Sequence, residues 1–432
     1  MAIISTIFIG YSLVYHRIHK SKGMKFLFNA PCYEPAYRQG GPLHSVSSLA
    51  KGLVRRGHEV VVSAPNLDLG EYLNVDLGRD YDFDGVRVRF FNAGPSLLQR
   101  TGIPYFSRAS VYALDPSYKA WLEAEATDAD VLHSHLTFIP ENSIVSKYAI
   151  NNNKVYFYSQ RGNLDPIRLD IGRWKKLAYI YLKEQFIMRR ADALLGLTKY
   201  EVRTFRRFAP NTRVEVVPNG ISDGFAKTAL VDIHPPIDSV ISKFGDLPVF
   251  FWMSRIHQTK GADVFVDAAI SALNSGAKFH AVVSGPDEVG LEDELKGRVQ
   301  KAKLEEYIHF TGAVSGNNRL ALLKRADSFV LPTVSEGLSM VILEALACGC
   351  AILTSPGAHF DEIETAGAGR IIARESSVYA DAMTRYSLLS REGLASIAEK
   401  GIDLVRTRYT WESIVDHYLR LATELVEAKK KI

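Results

Sequence analysis

The stretch SFVLPTVSEGLSMVILEALACG, residues 328–349, predicts a strand, a loop and a helix in succession. Its apolar start at 328–331 is typical of a buried strand, and SMVILEALA at 339–347 of a helix closed by a glycine. In parallel α/β sheets, ligands bind beyond the carboxyl ends of the strands, and a helix N-terminus attracts phosphate. We therefore expect Glu336 in the loop over a ligand crevice and Glu344 within reach of ribose hydroxyls. An acidic loop followed by a solvated helix glutamate is the alternative interpretation.

Two series of such strand and helix units follow each other along the chain. The first series has predicted strands at 25–30, 58–64, 86–91, 131–135, 155–159 and 193–197. The second has predicted strands at 248–254, 279–285, 308–312, 328–331 and 351–355. Since the strands mostly alternate with helices, the predicted fold class is α/β, with two Rossmann-like domains built on parallel sheets.

A polar, proline-containing stretch, VDIHPP at 231–236, lies between the two series and is predicted to be a linker. We expect a first domain at 24–225 and a second domain at 226–408. The closing helix at 409–425 follows the completed second sheet and is expected to cross back to the first domain. Residues 1–23 are expected to be an extension or a misassigned start, because residue 24 is a methionine directly before the first strand.

Composition limits the possible classes of protein. With 432 residues, 47% of them hydrophobic, the chain is too long for one ordinary core and resembles a soluble globular protein, so two domains are the default. Its 52 basic and 48 acidic residues give a net charge of +4, which is too balanced to indicate nucleic acid binding. The cysteines, Cys32, Cys348 and Cys350, predict neither a disulfide framework nor a zinc site. A reducing cytoplasm is the expected location.

The apolar run at residues 2–15, followed by a basic stretch, is shorter than the roughly 20 residues that span a bilayer. It lacks the basic start and the cleavage site of a signal peptide. A short membrane-associating segment and an ordered part of the fold stay open as interpretations beside an extension. No later stretch is long and apolar enough to cross a membrane.

Two loops at strand ends carry candidate phosphate-binding residues. Gly40 and Gly41 follow the first strand, where missing side chains let the backbone approach a phosphate or a sugar, and a plain turn is the alternative. They do not form the GxGxxG fingerprint of a dinucleotide site. Arg255 and Lys260 bracket the loop after the first strand of the second series, which faces the same crevice as Glu336. A planar guanidinium and a mobile ammonium can together hold a diphosphate, and two solvated surface cations are the alternative.

Two further strand ends carry histidine and arginine. In VLHSH at 131–135, we expect His133 and His135 to point to opposite faces, so that one at most faces the crevice, and His135 is favoured because it lies nearer the loop. A hydrogen-bonded histidine at the rim of the sheet is the alternative. Arg161, in RGNLDP at 161–166, is expected to contact a sugar hydroxyl or an acceptor phosphate across the cleft.

Two other patterns have competing interpretations. DYDFD at 80–84 contains the DxD string with which many transferases hold a metal, but its place on a predicted surface hairpin favours solvated turn carboxylates, and no metal is expected. Basic and aromatic residues mix at helical spacing at 168–190 and 203–208. This mixture is compatible with peripheral contact with an anionic membrane, at the inner face of the plasma membrane, or with a basic solvated face over an ordinary core.

Four features in this order resemble the retaining GT-B glycosyltransferases of family 4, also called group 1 glycosyltransferases: the early glycine pair, Arg255 with Lys260, the Glu336 to Glu344 spacing and the YTWE start of the late helix. The resemblance covers residues 24–425. It implies two Rossmann-like domains whose sheets face a central cleft.

For the donor diphosphate, the resemblance implies that the backbone at Gly40 and Gly41 approaches it and that Arg255 and Lys260 neutralise it. A nucleoside diphosphate sugar is the implied donor.

The resemblance also implies that Glu336 binds the transferred sugar, Glu344 the ribose, and the amides of Leu338 and Ser339 the donor. Many family members have a histidine in the loop where this chain has Arg161. A histidine-based role at this loop is therefore in doubt, and the RGNLDP string looks like a subgroup of polysaccharide-building members.

The predicted reaction is transfer of a hexose from the nucleotide sugar to a lipid-linked or oligosaccharide acceptor, with retention at the anomeric carbon and without a cofactor, in cell-surface polysaccharide synthesis. The alternatives are a nucleotide-sugar epimerase and a noncatalytic nucleotide-sugar-binding subunit of the same fold. An epimerase would act without an acceptor. A noncatalytic subunit should have lost Arg255, Lys260 or Glu336, and all three are present.

Overall fold

A computed structural model of the chain describes residues 23–94, 114–170 and 172–431. The expectations for residues 1–22 lie outside these ranges. Within the described part of the chain, no helix is long and apolar enough to cross a bilayer.

The first half of the chain folds around an eight-stranded sheet. Its strands, with a separate pair formed by β3 and β4, are in chain order β1 Lys25–Asn29, β2 Glu59–Pro65, β3 Leu67–Asp68, β4 Glu71–Tyr72, β5 Asp80–Phe83, β6 Val86–Phe91, β7 Val131–His135, β8 Val155–Ser159, β9 Ala193–Gly196 and β10 Val214–Val216. The order across the sheet is β10-β9-β8-β7-β1-β2-β6-β5, and the pairs are parallel except for the β5–β6 hairpin. Every residue of β1, β7 and β8 is buried, as expected for parallel strands covered by helices on both faces.

The second half folds around a six-stranded parallel sheet in the order β13-β12-β11-β14-β15-β16. Its strands are β11 Val249–Met253, β12 His280–Ser284, β13 Ile308–Gly312, β14 Ser328–Leu331, β15 Ala351–Thr354 and β16 Gly369–Ile371. The predicted α/β fold class is confirmed.

Helices connect these strands and cover the sheets. In chain order they are α1 Gly41–Arg55, α2 Tyr118–Glu125, α3 Asn142–Asn151, α4 Pro166–Asp170, α5 Arg173–Tyr179, α6 Gln185–Arg190, α7 Lys199–Phe208, α8 Pro235–Ile241, α9 Ala262–Asn274, α10 Glu292–Ala302, α11 Gly316–Arg325, α12 Met340–Ala347, α13 Glu362–Ala366, α14 Ser376–Ser387, α15 Arg391–Arg408 and α16 Trp411–Lys430.

The strand order places the candidate loops at the two points where ligands bind in such folds. In the first sheet, β1 lies between β2 and β7, and in the second sheet, β11 lies between β12 and β14. A crevice opens beside a strand whose two neighbours are reached by connections running in opposite directions. The loops after β1, β11 and β14 carry Gly40, Lys260 and Glu336, and His135 is the last residue of β7.

The last helix packs on the first sheet. Trp411, Ile414 and Tyr418 of α16 are buried in one hydrophobic cluster with Phe26 and Phe28 of β1. The domain limits at residues 225 and 408 stay predictions.

Three details differ from the elements predicted from sequence. Val214–Val216 and Gly369–Ile371 are edge strands that were not predicted, since each has three residues and too few apolar positions for a recognisable pattern. The predicted linker at 231–236 runs into helix α8, which begins at Pro235 because proline is accepted in the first turn of a helix. The third detail is the DxD string, which was predicted to carry solvated turn carboxylates. Its Asp80 instead lies in strand β5 and accepts hydrogen bonds from Arg87 and Arg89 on the neighbouring strand of the hairpin.

Helices α5 and α6 form one continuous helix through a wide π-helical turn at Ile180–Glu184. The turn directs Glu184 into the core, where its carboxyl group accepts hydrogen bonds from the Phe138 amide at 2.8 Å and the Tyr158 hydroxyl at 2.6 Å. Burial raises the pKa of Glu184 to about 7, and the two donors oppose this rise only in part.

We expect Glu184→Gln to change how stability depends on pH. The folded pKa lies above the ordinary value of 4.5, so the wild type loses stability as pH rises from about 4.5 to about 7, and a glutamine has no such loss. Relative to wild type, the variant should gain up to about 1.4 kcal/mol of unfolding free energy per pH unit in this window. Urea denaturation at pH 5 and pH 7.5 measures the difference. The exposed Glu399→Gln should show no such trend, and a parallel pH dependence of wild type and Glu184→Gln would contradict the prediction.

Candidate functional site

Lys260 ends a short 3₁₀ turn, Gln258–Lys260, shortly after β11. The indole nitrogen of Trp252, in β11, donates a hydrogen bond of 3.1 Å to the Lys260 carbonyl oxygen and holds this turn in place. The next residue, Gly261, has φ +75°, and a Cβ atom there would lie 2.2 Å from the Pro332 carbonyl oxygen after β14. Glycine is therefore needed at this position for the loops after β11 and β14 to touch.

The structure brings Lys260 and Glu336 into direct contact. The Lys260 Nζ atom lies 2.6 Å from Glu336 Oε1, and each side chain is only 12% exposed. The Thr333 hydroxyl donates a hydrogen bond of 3.0 Å to the same carboxylate oxygen, and the Glu336 amide donates one of 2.8 Å to the Gly357 carbonyl oxygen. A carboxylate and an ammonium are thus held at the carboxyl ends of two adjacent strands, at the opening beside β11.

Arg255 lies in the same loop as Lys260 but has a different partner. Its guanidinium is 57% exposed and lies 2.9 Å from a Glu288 carboxylate oxygen, beyond β12. Arg255 and Lys260 therefore belong to two separate ion pairs. Their joint binding of a diphosphate stays a prediction.

Glu344 is buried inside the first turns of α12, so the alternative of a solvated helix glutamate is wrong. The residue is 7% exposed, and its Oε1 atom lies 3.2 Å from the guanidinium of Arg319. Burial raises the pKa of Glu344 to about 7, and the charge of Arg319 acts in the opposite direction. Its Oε2 atom is buried and has no hydrogen-bond partner among the described residues, so one acceptor of this carboxyl group is unsatisfied.

The N-terminus of α12 lies between these two glutamates. Among the described residues, none accepts a hydrogen bond from the backbone amides of Leu338 or Ser339. These amides and the helix dipole favour an anion at this point. A Cβ atom at Gly162, whose φ is +83°, would lie 3.4 Å from the Gly337 Cα atom. The two halves of the chain thus meet directly beside Glu336.

On the first-domain side of this contact, Arg161 is largely buried and joins three polar groups. It donates hydrogen bonds to His135 Nδ1 at 3.0 Å, to the Ser45 hydroxyl and to the Asn219 side-chain oxygen at 3.4 Å. The Asn219 amide in turn lies 3.4 Å from the Leu338 carbonyl oxygen of the second domain. Burial lowers the pKa of Arg161 to about 10, which still leaves the side chain charged at neutral pH.

The expectation that His133 and His135 point to opposite faces is wrong. Residues two apart in a strand share a face, and the two imidazole rings lie side by side with their centroids 3.7 Å apart. His133 bonds to the hydroxyls of Tyr418 at 3.1 Å and Ser159 at 2.9 Å, whereas His135 contacts Arg161. Burial lowers the pKa of both histidines well below the usual range, so both rings are neutral at neutral pH.

Gly40 and Gly41 open helix α1, and a Cβ atom at either position would meet no atom within 4 Å. Gly40 has φ +66°, a conformation in the left-handed region that favours glycine. His44, one turn into α1, has its pKa lowered by burial and further by the charge of Arg319 on the opposite domain. The open start of α1 therefore faces the Glu344 end of the crevice.

Several residues of this site were not predicted as site residues from the sequence. Ser45, Asn219, Glu201 and Arg319 belong to it by contact. A partial signal exists for Arg319, which lies in the first turn of α11 after β13. Another exists for Glu201, which forms a T-x-x-E capping pattern with Thr198. Nothing in the local sequence indicates the tertiary partners of Ser45 and Asn219.

Two family models match the chain. The "Glycosyl transferase 4-like domain" matches residues 40–220, and "Glycosyl transferases group 1" matches residues 247–387. This chain belongs to the group 1 glycosyltransferases. The family and the GT-B fold predicted from the sequence are confirmed.

Three individual relatives share between 17% and 29% sequence identity with this chain. The lipopolysaccharide core biosynthesis mannosyltransferase LpsB of Rhizobium meliloti (strain 1021) is 29% identical over 230 residues, which are 49% of this chain and 62% of LpsB, less than two thirds of that protein. The phosphatidyl-myo-inositol mannosyltransferase of Mycobacterium leprae (strain TN) is 25% identical over 417 residues, which are 91% of this chain and 95% of that enzyme. The structure of Anabaena HepE in complex with UDP and glucose has a TM-score of 0.66 and 17% identity, over 93% of this chain and 100% of HepE, and shows the shared fold.

Proposed function

We propose that this group 1 glycosyltransferase transfers a hexose from a nucleoside diphosphate sugar to a lipid-linked or oligosaccharide acceptor, with retention at the anomeric carbon, in cell-surface polysaccharide synthesis. The names of its relatives support this class of reaction, since LpsB and the mycobacterial enzyme are mannosyltransferases of a lipopolysaccharide core and of phosphatidyl-myo-inositol. The donor class is supported by the UDP and glucose bound to HepE.

The observation that carries the proposal is the contact of Lys260 with Glu336 beside the open N-terminus of α12. When the glycosidic bond of a donor breaks, the leaving diphosphate gains negative charge and the sugar gains oxocarbenium character. A held ammonium and unbonded amides stabilise the first charge, and a carboxylate suits the second. In the 2.6 Å pair, the charges of Lys260 and Glu336 compensate each other until a donor is bound.

Glu344 fits the ribose end of the donor. Its Oε2 atom lacks a partner among the described residues, and its raised pKa means that the free protein carries this carboxyl group only partly ionised at neutral pH. A donated hydrogen bond from a ribose hydroxyl would stabilise the ionised form, because a hydrogen bond to a carboxylate lowers its pKa.

Arg161 and His135 form the acceptor side of the proposed site. Arg161 supplies a positive charge next to the contact between Gly162 and Gly337, where a phosphate or hydroxyl of an acceptor would approach the donor sugar. The neutral His135 ring accepts a hydrogen bond from Arg161, so its role in this proposal is to orient the guanidinium.

The test is a transfer assay with a panel of nucleotide sugars, each offered with and without a lipid-linked saccharide acceptor. Donors are first ranked by thermal shift, because a ligand at 100 times its dissociation constant stabilises a protein by about 2.7 kcal/mol. We expect sugar transfer that requires the acceptor and gives a product with the anomeric configuration of the donor. A sugar altered without acceptor would identify an epimerase, and binding without turnover would identify a noncatalytic subunit. Either result would refute the proposal.

A further inference from the structure

The continuous helix from Arg173 to Arg190 has an apolar face in solvent. Trp174 is 81% exposed, Leu182 74%, Phe186 54% and Tyr181 49%. Large aromatic and aliphatic side chains are rarely exposed together on one helix unless they meet a partner or a membrane.

The wide turn at Ile180–Glu184 gathers these side chains on one side. Twelve residues of unbroken α-helix would rotate Phe186 about 120° away from Trp174 around the helix axis. The additional residue in the π-helical turn reverses most of that rotation, so that Trp174 and Phe186 lie on nearly the same side of the helix. The same turn directs Ile180, Glu184, Ile187 and Met188 into the core on the opposite side, so one helix has a buried face and an apolar exposed face.

Positive charge borders the exposed face. Residues 166–190 contain seven basic and two acidic residues. One of the acidic residues is the buried Glu184, and the other, Asp170, is paired with Arg173 at 3.7 Å. Helix α7 adds Arg206 and Arg207, and it is fixed to this helix because Gln185 and Arg189 donate hydrogen bonds to the Phe208 carbonyl oxygen.

The exposed face adjoins the site already described. Helix α4, which precedes it, carries Arg168, whose guanidinium carbon lies 3.9 Å from the place of a Cβ atom at Gly162. Gly162 follows Arg161 and touches Gly337 across the cleft. A surface that covers the helix would therefore lie beside the opening of the cleft.

We propose that the Arg173–Arg190 helix, with Trp174, Tyr181, Leu182 and Phe186 at its centre, docks on the surface of an anionic lipid bilayer. Apolar side chains enter the boundary between headgroups and acyl chains, and the basic border contacts the anionic headgroups. A neutral protein partner would suit the apolar residues but not the surrounding charge. The occupant that matches both features is an anionic membrane.

The experiment is cosedimentation of the full chain with vesicles, without donor or acceptor, so that its result is independent of the proposed transfer reaction. Vesicles of phosphatidylcholine alone are compared with vesicles that contain phosphatidylglycerol, at low salt and at 0.5 M salt. We expect binding to the anionic vesicles that weakens with salt, because salt screens the attraction between lipid and protein charges.

Two variants test the helix itself. Trp174→Ala/Leu182→Ala/Phe186→Ala should lower the partition coefficient on anionic vesicles at least about tenfold, since buried apolar area and basic charge both determine interfacial binding. Lys183→Glu/Arg190→Glu should lower it by a similar factor and remove most of the salt dependence. The matched control Val231→Ala/Val289→Ala/Leu388→Ala removes three exposed apolar side chains outside this helix and should bind as the wild type does.

All of these proteins carry the same N-terminal 23 residues, so a difference among them is due to the substituted positions. Circular dichroism and thermal unfolding check that each variant is folded. Absence of wild-type binding to phosphatidylglycerol vesicles, or binding of the apolar variant within twofold of the wild type, would overturn the proposal. An equal loss in the matched control would overturn it as well.

Discussion

Lys260→Ala is expected to lower kcat for sugar transfer by about 100- to 1000-fold, which is the usual cost of removing one preplaced group that stabilises charge in a transition state. Lys260 is 12% exposed, lies in the turn Gln258–Lys260 and is paired with Glu336, in the loop that leads into α12. Its ammonium is thus in place before the diphosphate begins to leave. Steady-state kinetics with the donor identified by the transfer assay measures the effect.

The loss should appear mainly in kcat, since the proposed contact strengthens as charge develops on the leaving group. Lys260→Arg keeps the charge and should retain more activity than Lys260→Ala. Lys296→Ala is a matched control, because Lys296 also pairs with a glutamate, at 2.7 Å, but on the exposed surface of α10, and should stay within twofold of wild type. A kcat for Lys260→Ala within threefold of wild type would remove the diphosphate assignment.

Glu336→Gln is expected to lower kcat by about 100-fold and to change donor affinity much less. The glutamine keeps an oxygen that accepts from Lys260 and Thr333 but lacks the negative charge that would face the developing oxocarbenium character of the sugar. Because Lys260 is then no longer neutralised, the donor diphosphate should bind at least as tightly as in wild type. Transfer kinetics and isothermal titration with the nucleoside diphosphate measure the two quantities separately.

Glu288→Gln is the matched control for this substitution. Glu288 pairs with Arg255, in the same loop as Lys260, at 2.9 Å, but both of these side chains are at least about one third exposed. Exposed ion pairs contribute little, and we expect activity within threefold of wild type. Equal losses in Glu288→Gln and Glu336→Gln would show that the Lys260 contact has no special role.

Periodicity was sufficient to predict most of the second sheet. β11, β12, β14 and β15 were predicted within one residue at each end because buried parallel strands are continuous apolar runs between loops. The edge strands β10 and β16 were missed, since three residues at a sheet edge leave little trace in the hydrophobic pattern.

The histidines show a different limit. The spacing of His133 and His135 already determines that they share a face, and the expectation of opposite faces misapplied the period of a strand. The spacing could not show that the Tyr418 hydroxyl, in the last helix, bonds to His133, whereas His135 bonds to Arg161. That division depends on a contact between positions 285 residues apart.

By itself the sequence determined the family, the two-sheet architecture and the strand ends at which the candidate residues lie, because these depend on local apolar runs, glycines and residue order. Only the tertiary structure decided which charges meet: Lys260 with Glu336, Arg255 with Glu288, and Glu344 with Arg319. Ion pairs form between side chains a few ångströms apart in space, and that proximity is set by the packing of whole sheets and loops. No short stretch of sequence contains it.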